Sequence, residues 1–469
     1  MPSIRLLFRK SSLKRIALIA ALLLVMPRLA HAEASLLIDA NSGKVLEAEN
    51  ATYPWHPASL SKLMTAYVTL EAVKSGKITL DTLLTVSQTA ASQAPVKMGF
   101  APGTKVTVDN ALKMMLVKSA NDMAVVLAEG VGGSIDGFCA MMNQTAQKLG
   151  MTQTSYVNPN GLPADGQITS ARDMAILARA FIRDLPQYEY FVHIPAIRFG
   201  RAVIHNYNPL IGRYPGADGF KTGFICAAGF NIVASATQNG RRLIAVVMGA
   251  SSSKMRAVKA AELLDRGFAT NPLSWLHPSL GNVKNLVPVE ASPPDLRAEI
   301  CGGKHKPSEE DDAAFGSGLP PETGNPAALL AKPRAPSEPV LVYTGPAQTG
   351  AGVAAAVAAD AKRQAAQAAR YRARKHIAAK KRGKAEEDKT KGSGKLAKSR
   401  ARTGVRRGTK PASVRHVSAN TAGAAKPAVA TVAAGRRTVR HARTTKPRAR
   451  IKSAKSAPKR TSADRKPAG

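Results

Sequence analysis

The sequence predicts an α+β domain in which strands from both ends of one globular region share a single antiparallel sheet. Three observations support this fold class. Two short strand-like runs open the region, helical periodicities fill its middle, and three further strand-like runs followed by a helix close it. Strands and helices that are segregated along a chain in this way are typical of α+β folds.

The strand predictions depend on turn residues. The opening stretch SLLIDANSGKVLEAE predicts a hairpin whose turn is Asn41-Ser42-Gly43. From residue 219 onward, the runs GFKTGF, FNIVASAT and RRLIAVVMGA have the residue content of strands. Asn239-Gly240 separates the last two runs, and this dipeptide favours a tight hairpin turn.

The helix predictions depend on apolar spacing and end signals. Pro57 is expected near the first position of a helix that Gly76 ends. The stretch VDNALKMMLVKSANDMAVVLAEG predicts helix with a break at 119–122, and SIDGFCAMMNQTAQKLG predicts a further amphipathic helix. SARDMAILARAFIRD predicts another, with Thr169 or Ser170 as its cap, and KMRAVKAAELLDRGFA predicts the closing helix.

Charge and composition divide the 469 residues into segments. The formal net charge is +37, but residues 351–469 hold 34 Lys and Arg against 5 Asp and Glu. The sequence therefore predicts a folded domain at 33–275, a Pro-rich linker at 276–350 and a basic tail at 351–469. The tail has almost no large apolar residues to offset the entropy of ordering, so we expect it to be disordered.

The first 32 residues have the pattern of a secretory signal peptide. Basic residues precede the apolar run IALIAALLLVM, and AHA at 30–32 predicts cleavage after Ala32. The alternative is a membrane anchor, but eleven helical residues span only about 16 Å, half the hydrocarbon core. We therefore expect export across the inner membrane to the periplasm, with membrane or wall association through the tail.

The three cysteines, Cys139, Cys226 and Cys301, leave at least one thiol unpaired. Their spacing does not match a metal site, so we interpret them as small buried hydrophobic residues. No metal or other cofactor is expected.

Three short motifs carry the chemistry. Ser59-x-x-Lys62 lies in the predicted first helical turn, Ser119-Ala120-Asn121 lies at the predicted helix break, and Lys221-Thr222-Gly223 lies on a predicted strand. Each is weak alone, since Ser-x-x-Lys recurs at Ser251 and Ser-Ala-Asn recurs at 418–420. Together, in this order and on these elements, they form a specific set.

The motif residues suit nucleophilic catalysis. The Ser59 hydroxyl needs a base, and Lys62 lies on the same helix face but can act only as a neutral amine. A second cation at Lys221 would favour that form. Ser119 can relay a proton, and Asn121 can bind a substrate amide through its donor and its acceptor.

The strand motif adds an anion-binding element. The backbone N–H of Phe224, with that of Ser59, can form an oxyanion hole. Gly223 has no side chain to block the approach. Beside these residues, Thr222 and the strand edge can pair with an extended substrate backbone.

These motifs resemble those of the D-alanyl-D-alanine carboxypeptidases, the low-molecular-mass penicillin-binding proteins. The likeness runs from about 34 to 275 and includes NPNGLPADG, TSARDMA and GFNIVASATQNGRRLIAVVMGA. It implies a β-lactamase/transpeptidase-like fold with a helical subdomain. It also implies that Ser59 is acylated by the penultimate D-Ala of a peptidoglycan stem peptide, releasing the terminal D-Ala, and that β-lactams acylate the same serine. By the same likeness, the functional residues are Ser59, Lys62, Ser119, Asn121, Lys221 and Thr222.

Other positions lie outside the three motifs or differ from the family pattern. The resemblance places a carboxylate-binding arginine at Arg256, although a surface cation at a helix start is the alternative. The family often has His where this chain has Phe224 and Asn160, which affects side-chain contacts but removes no catalytic group. We expect Trp55 to lie in the core and Asp165 to lie in a turn. The other singled-out residues are expected to be structural or solvated histidines, His56, His193 and His205, and cap or helix residues, Asp122 and Asp173.

Two other functions compete with this interpretation. Class A β-lactamases share the motifs but add a Glu that activates water, and Glu129, the only Glu in 123–187, lies too near Asn121 to match it. A non-enzymatic binder of cell wall or nucleic acid is the other alternative. An exported chain rarely meets nucleic acid, so the tail is expected to contact anionic lipid, lipopolysaccharide or peptidoglycan carboxylates.

Overall fold

The protein is described by a computed structural model. It covers residues 33–269, 280–302, 328, 330, 332–366, 368–370 and 372–373. The predicted signal peptide and most of the predicted tail lie outside the described residues.

Five strands form one antiparallel sheet in the order β2-β1-β9-β8-β7. The strands of the described residues are β1 (Ala34–Asp39), β2 (Val45–Glu49), β3 (Leu83–Thr85), β4 (Lys105–Thr107), β5 (Ala196–Phe199), β6 (Ala202–His205), β7 (Ala217–Ile225), β8 (Gly229–Gln238), β9 (Arg241–Ala250) and β10 (Val340–Val342). The first strands of the domain thus pair with its last, as the sequence predicts. β7 occupies one edge of the sheet.

Helices cover both faces of this sheet. They are α1 (Ser61–Lys74), α2 (Gln88–Ser92), α3 (Val108–Val117), α4 (Asn121–Gly132), α5 (Ile135–Leu149), α6 (Ala171–Asp184), α7 (Tyr190–His193), α8 (Ser253–Phe268) and α9 (Arg297–Cys301). Successive side chains of a strand point to opposite faces. Accordingly, Leu36 and Ile38 join the core shared with α1 and α3–α6, and Leu37 joins the core beneath α8.

The predicted local signals hold where turn and cap chemistry decides the structure. Ser170 caps α6, since its hydroxyl accepts a hydrogen bond from the N–H of Asp173 at 3.2 Å. Asn239 and Gly240 have φ values of 50° and 75°, as a tight hairpin turn between β8 and β9 requires. Asn and Gly tolerate this conformation better than other residues.

The first helix starts differently from the prediction. Pro57 precedes a 3-10 turn, Ala58–Leu60, and the α-helix begins only at Ser61. Ala58 has a φ of 48°, which breaks the helical path at its start. Ser59 therefore lies in the 3-10 turn, while Lys62 lies in the first turn of α1.

The prediction of disorder from residue 351 onward is wrong for the first residues of the predicted tail. Residues 351–366 are helical, and Asp360 is buried. Its carboxylate accepts hydrogen bonds from the N–H and the hydroxyl of Thr344, both at 2.8 Å. Just before this segment, β10 pairs in parallel with β5. One buried carboxylate and a strand pairing thus hold a segment that has few large apolar residues.

The cysteine interpretation holds for Cys139 alone. Cys139 is a buried free thiol, and burial raises its pKa to about 11. Cys226 and Cys301 instead form a disulfide across 75 residues of sequence. This bond joins the residue after β7 to the end of α9, so both cysteines act as a cross-link rather than as packing.

Within the described part of the chain, no single helix is long and apolar enough to cross a membrane. Only α4 and α5 taken together, which are bent by 84°, reach that length and composition.

Candidate active site

The Ser59 hydroxyl and the Lys62 amine are in direct contact. Lys62 Nζ lies 2.8 Å from Ser59 Oγ, within hydrogen-bonding distance. Both residues are buried, Lys62 completely and Ser59 with 9 % of its surface exposed. Two polar side chains that are buried together in this way are shielded from solvent and are each other's hydrogen-bond partners.

A backbone carbonyl is a further hydrogen-bond partner of the lysine. Lys62 Nζ donates to the carbonyl oxygen of Asn160 at 2.7 Å. The loop that carries Asn160 lies directly against the 3-10 turn Ala58–Leu60, which we call the nucleophile turn because it carries Ser59. A Cβ added to Gly161, which has a φ of +82°, would lie 1.7 Å from the Ala58 carbonyl oxygen, so this position requires glycine.

Ser119 lies at the break between α3 and α4, both of which pack against α1. Its φ of 62° places it in the left-handed region, which few non-glycine residues adopt. Its hydroxyl oxygen is buried and has no hydrogen-bond partner among the described residues. A buried polar atom of this kind is available to a substrate or to a proton in transfer.

Asn121 and Asp122 hold a segment that we call the strap, residues 93–99. Asn121 donates through its backbone N–H to Val96 O at 2.8 Å and through its side-chain amide to Ala94 O at 3.0 Å. The Asp122 carboxylate accepts the N–H groups of Met98 and Gly99 at 3.0 and 2.8 Å. Asn121 of the second motif, together with the adjacent Asp122, therefore holds the strap in place.

The third motif lies on β7, against the nucleophile turn. A Cβ added to Gly223 would lie 3.0 Å from the backbone nitrogens of both Ser59 and Leu60, so a side chain here would crowd the turn. Lys221 is buried, and its Nζ donates to the Thr222 carbonyl at 2.9 Å. The Thr222 hydroxyl is buried without a hydrogen-bond partner in the described part of the chain. Phe224 stacks on Phe230, with ring centroids 4.2 Å apart.

Arg256 is not a surface cation. It is completely buried in the first turns of α8, with its guanidinium 5.4 Å from the centre of the Phe230 ring. Its Nη1 donates to the carbonyl oxygens of Gly223 and Asn231, both at 3.2 Å. Arg256 thus holds the carbonyl of the glycine that lies against the nucleophile turn.

Three further residues that the sequence singled out lie in structural contacts, whereas His205 and Asp165 are exposed. Trp55 is buried and donates its indole N–H to Ala228 O at 3.0 Å. Asp173 accepts hydrogen bonds from Gln153 and Thr154, while burial raises the pKa of its carboxyl. His193 lies beside Glu189 and Arg242, and burial lowers its pKa.

Sequence reasoning missed the contribution of backbone atoms. The Asn160 carbonyl and the strap carbonyls depend on the path of loops that have no periodicity. The only signal in the sequence is the glycine of Asn160-Gly161. Across the described residues, His, Cys, Asp and Glu form no cluster of three that could bind a metal ion.

A buried serine in a turn before a core helix, with a lysine in the first turn of that helix and an edge strand beside both, is typical of the serine acyl-transfer class of penicillin-recognising enzymes. The comparisons with known proteins specify the family. The sequence profile of the D-alanyl-D-alanine carboxypeptidases, peptidase family S11, matches residues 24–252.

Individual relatives agree with the profile. The chain is 41 % identical over 245 residues to D-alanyl-D-alanine carboxypeptidase DacC of Escherichia coli, covering 50 % of this chain and 61 % of that protein. It is 37 % identical to DacF of Bacillus subtilis, covering 55 % and 68 %. The crystal structure of DacD from Francisella tularensis matches with a TM-score of 0.50 at 31 % identity, covering 52 % of this chain and 71 % of that one.

The chain belongs to the D-alanyl-D-alanine carboxypeptidase family. The match spans just over three fifths of the E. coli relatives' length. The β-lactamase/transpeptidase-like fold, with its sheet and helical subdomain, is therefore as predicted.

Proposed function

We propose that this protein is a serine D-Ala-D-Ala carboxypeptidase that removes the terminal D-Ala from peptidoglycan stem peptides. The observation that carries the proposal is the 2.8 Å contact between Lys62 Nζ and Ser59 Oγ in a buried site. Family membership supplies the substrate class. No cofactor enters the mechanism.

In the proposed acylation, neutral Lys62 accepts the Ser59 proton while Ser59 Oγ attacks the carbonyl carbon of the penultimate D-Ala. The backbone N–H groups of Ser59 and Phe224 stabilise the oxyanion. Collapse of the tetrahedral intermediate breaks the peptide bond, and the leaving nitrogen takes up a proton that Ser119 can relay from Lys62. Water then hydrolyses the ester, freeing the trimmed peptide and restoring Ser59.

The other predicted residues bind the substrate in this proposal. Asn121 contacts the substrate amide beside the strap. Lys221 and Thr222 face the substrate's terminal carboxylate. The positive charge of Lys221 also disfavours the protonated, positively charged form of Lys62. Arg256, being buried beneath Gly223, supports that carboxylate site from below the strand.

The same serine would react with β-lactams, because the strained amide places its carbonyl where the D-Ala carbonyl lies. Rapid turnover of the resulting ester is not expected. Glu129 is a residue of α4 whose carboxylate accepts a hydrogen bond from Ser87 Oγ at 3.0 Å, and we do not assign it the role of a water-activating carboxylate.

The test of this proposal is Ser59→Ala. We expect no D-Ala release from a pentapeptide and no covalent labelling by a fluorescent penicillin, with the far-UV circular dichroism unchanged. Ser251→Ala is the matched control, since Ser251 begins the Ser251-x-x-Lys254 repeat of the motif but is exposed. Labelling that persists in Ser59→Ala, or that is lost in Ser251→Ala, would contradict the assignment.

We further propose export to the periplasm and contact of the basic tail with anionic lipid or cell wall. The signal-like N-terminus supports export. So does the Cys226–Cys301 disulfide, because such bonds persist in oxidising compartments. The positive charge of the tail supports binding to anionic surfaces.

A further inference from the structure

Asn160, at a position where the family often has His, makes three hydrogen bonds, one of them with the proposed base Lys62. Its carbonyl oxygen accepts from Lys62 Nζ at 2.7 Å, and its side-chain oxygen accepts from the N–H of Leu162 at 3.1 Å. Its side-chain amide donates to Gln93 Oε1 at 2.9 Å. Only 2 % of the residue is exposed, so these contacts fix both its backbone and its side chain.

Gln93 is held in the orientation that this contact needs. Its Nε2 donates to the Thr89 carbonyl at 3.2 Å, which leaves Oε1 as the acceptor facing Asn160. Gln93 is also the first residue of the strap, whose later residues are held by Asn121 and Asp122. The strap is thus hydrogen-bonded at its first residue to Asn160 and at its later residues to Asn121 and Asp122.

We propose that Gln93 and Asn160 are a positioning pair that directs the Asn160 carbonyl toward Lys62 and so sets the geometry of the Ser59–Lys62 contact. This inference rests on the proposed acyl-transfer function. Neither side chain is assigned a contact with the reacting atoms. The pair acts through the carbonyl and through the strap that lines the site.

The contact between the Asn160 carbonyl and Lys62 Nζ affects the pH at which the neutral amine is available. A carbonyl acceptor stabilises an ammonium more than a neutral amine, because hydrogen bonds from charged donors are stronger. Freeing this carbonyl should therefore make the neutral base available at lower pH, while the looser geometry slows the reaction. A negative charge placed at Gln93 should have the opposite effect on the pH dependence, since it favours the ammonium.

The test measures the acylation rate constant of the full chain by a fluorescent penicillin across pH. For Gln93→Ala we expect the maximum rate to fall about 3- to 10-fold, the effect of one neutral hydrogen bond, and the acid limb to move to lower pH. For Gln93→Glu, which keeps the acceptor, we expect a near-normal maximum and an acid limb at higher pH. Gln88→Ala, an exposed change on α2, the short helix that ends just before Gln93, should leave both quantities unchanged.

The outcomes separate this inference from the proposed function. A wild-type chain that labels at Ser59, together with a Gln93→Ala variant of unchanged rate and pH profile, would overturn the positioning pair alone. Acid limbs that move in the same direction in both Gln93 variants, or an equal loss in Gln88→Ala, would also overturn it. A wild-type chain that does not label would overturn the acyl-transfer proposal and this inference with it.

Discussion

At the scale of single residues, the proposed reaction depends on whether the group beside Ser59 can lose its proton. Lys62→Arg keeps a positive charge and a donor, but a guanidinium does not deprotonate in proteins. We expect the rate of penicillin acylation to fall by about 10²–10⁴, the usual contribution of a general base. The measurement is labelling over time, with thermal unfolding as the control for folding.

The matched change is Lys254→Arg, in the Ser251-x-x-Lys254 repeat of the same motif, for which we expect the wild-type rate; Lys254 is half-buried. Near-normal acylation in Lys62→Arg would refute a lysine base. Equal losses in the two variants would show that the assay reports stability rather than chemistry.

Side-chain identity could be predicted at this scale, and backbone geometry could not. The motifs identified Ser59, Lys62 and Lys221 because nucleophiles and bases are residue types. No pattern in the sequence predicts that Arg256 is buried against Phe230, because a helix-start arginine is usually solvated. Nor does any pattern predict a carbonyl of Asn160 as a partner of the base.

At the scale of elements, the loop 158–166 is shaped by glycines that have different surroundings. Gly161 and Gly166 both have a φ of +82°, so alanine at either position costs roughly 1–2 kcal/mol. At Gly161 the new Cβ would also lie 1.7 Å from Ala58 O, whereas at Gly166 the nearest atom lies at 3.6 Å. Only the first change must displace the nucleophile turn.

We therefore predict that Gly161→Ala lowers the free energy of unfolding by more than Gly166→Ala and also slows acylation of Ser59. Gly166→Ala should lower stability with little effect on the rate. Denaturant unfolding and penicillin labelling of the two variants provide the measurements. Similar acylation rates in both would mean that the turn tolerates movement of the loop.

Elements with strong local signals could be predicted, and those defined by distant partners could not. The β8–β9 hairpin follows from Asn239-Gly240, and α6 follows from its apolar spacing and the Ser170 cap. β10 has only three residues and exists through its pairing with β5. The 351–366 helix is held by the buried Asp360, and a sequence-based prediction places an aspartate at the surface.

At the scale of the whole molecule, the predicted catalytic and binding groups lie between 59 and 256, but the packed structure extends further along the chain. The disulfide reaches Cys301, and helical residues extend to 373. A boundary near residue 300, which charge and composition favour, would remove Cys301, β10 and the helical segment. The better boundary for separating the catalytic domain from the tail follows residue 373.

Truncation after residue 373 removes 30 Lys and Arg and 4 Asp and Glu. We expect turnover of a soluble pentapeptide to be nearly unchanged. Binding to anionic vesicles or sacculi should weaken, since basic residues near an anionic surface contribute up to about 1 kcal/mol each, and salt should abolish the difference. Co-sedimentation at low and high salt provides the measurement.

The control for this truncation is a chain ending at residue 300, which we expect to be less stable and less active. Equal co-sedimentation of the full chain and the 373 truncation, or binding of the full chain that ignores salt, would refute the role of the tail.

The cross-link between Cys226 and Cys301 also imposes an order in time. In the proposed export, β7 and its predicted substrate-binding residues would reach the membrane before the disulfide partner of Cys226 had been synthesised, since Cys301 follows 75 residues later. A chain exported from its N-terminus would therefore present Cys226 as a free thiol until α8 and α9 had emerged. Maturation of the active site would end with an oxidation step, and the newly exported enzyme would be briefly open to thiol reagents. Pulse labelling with a thiol-alkylating reagent should detect this reduced species before the mature one, and its absence at the earliest times would argue that the two events are not separated.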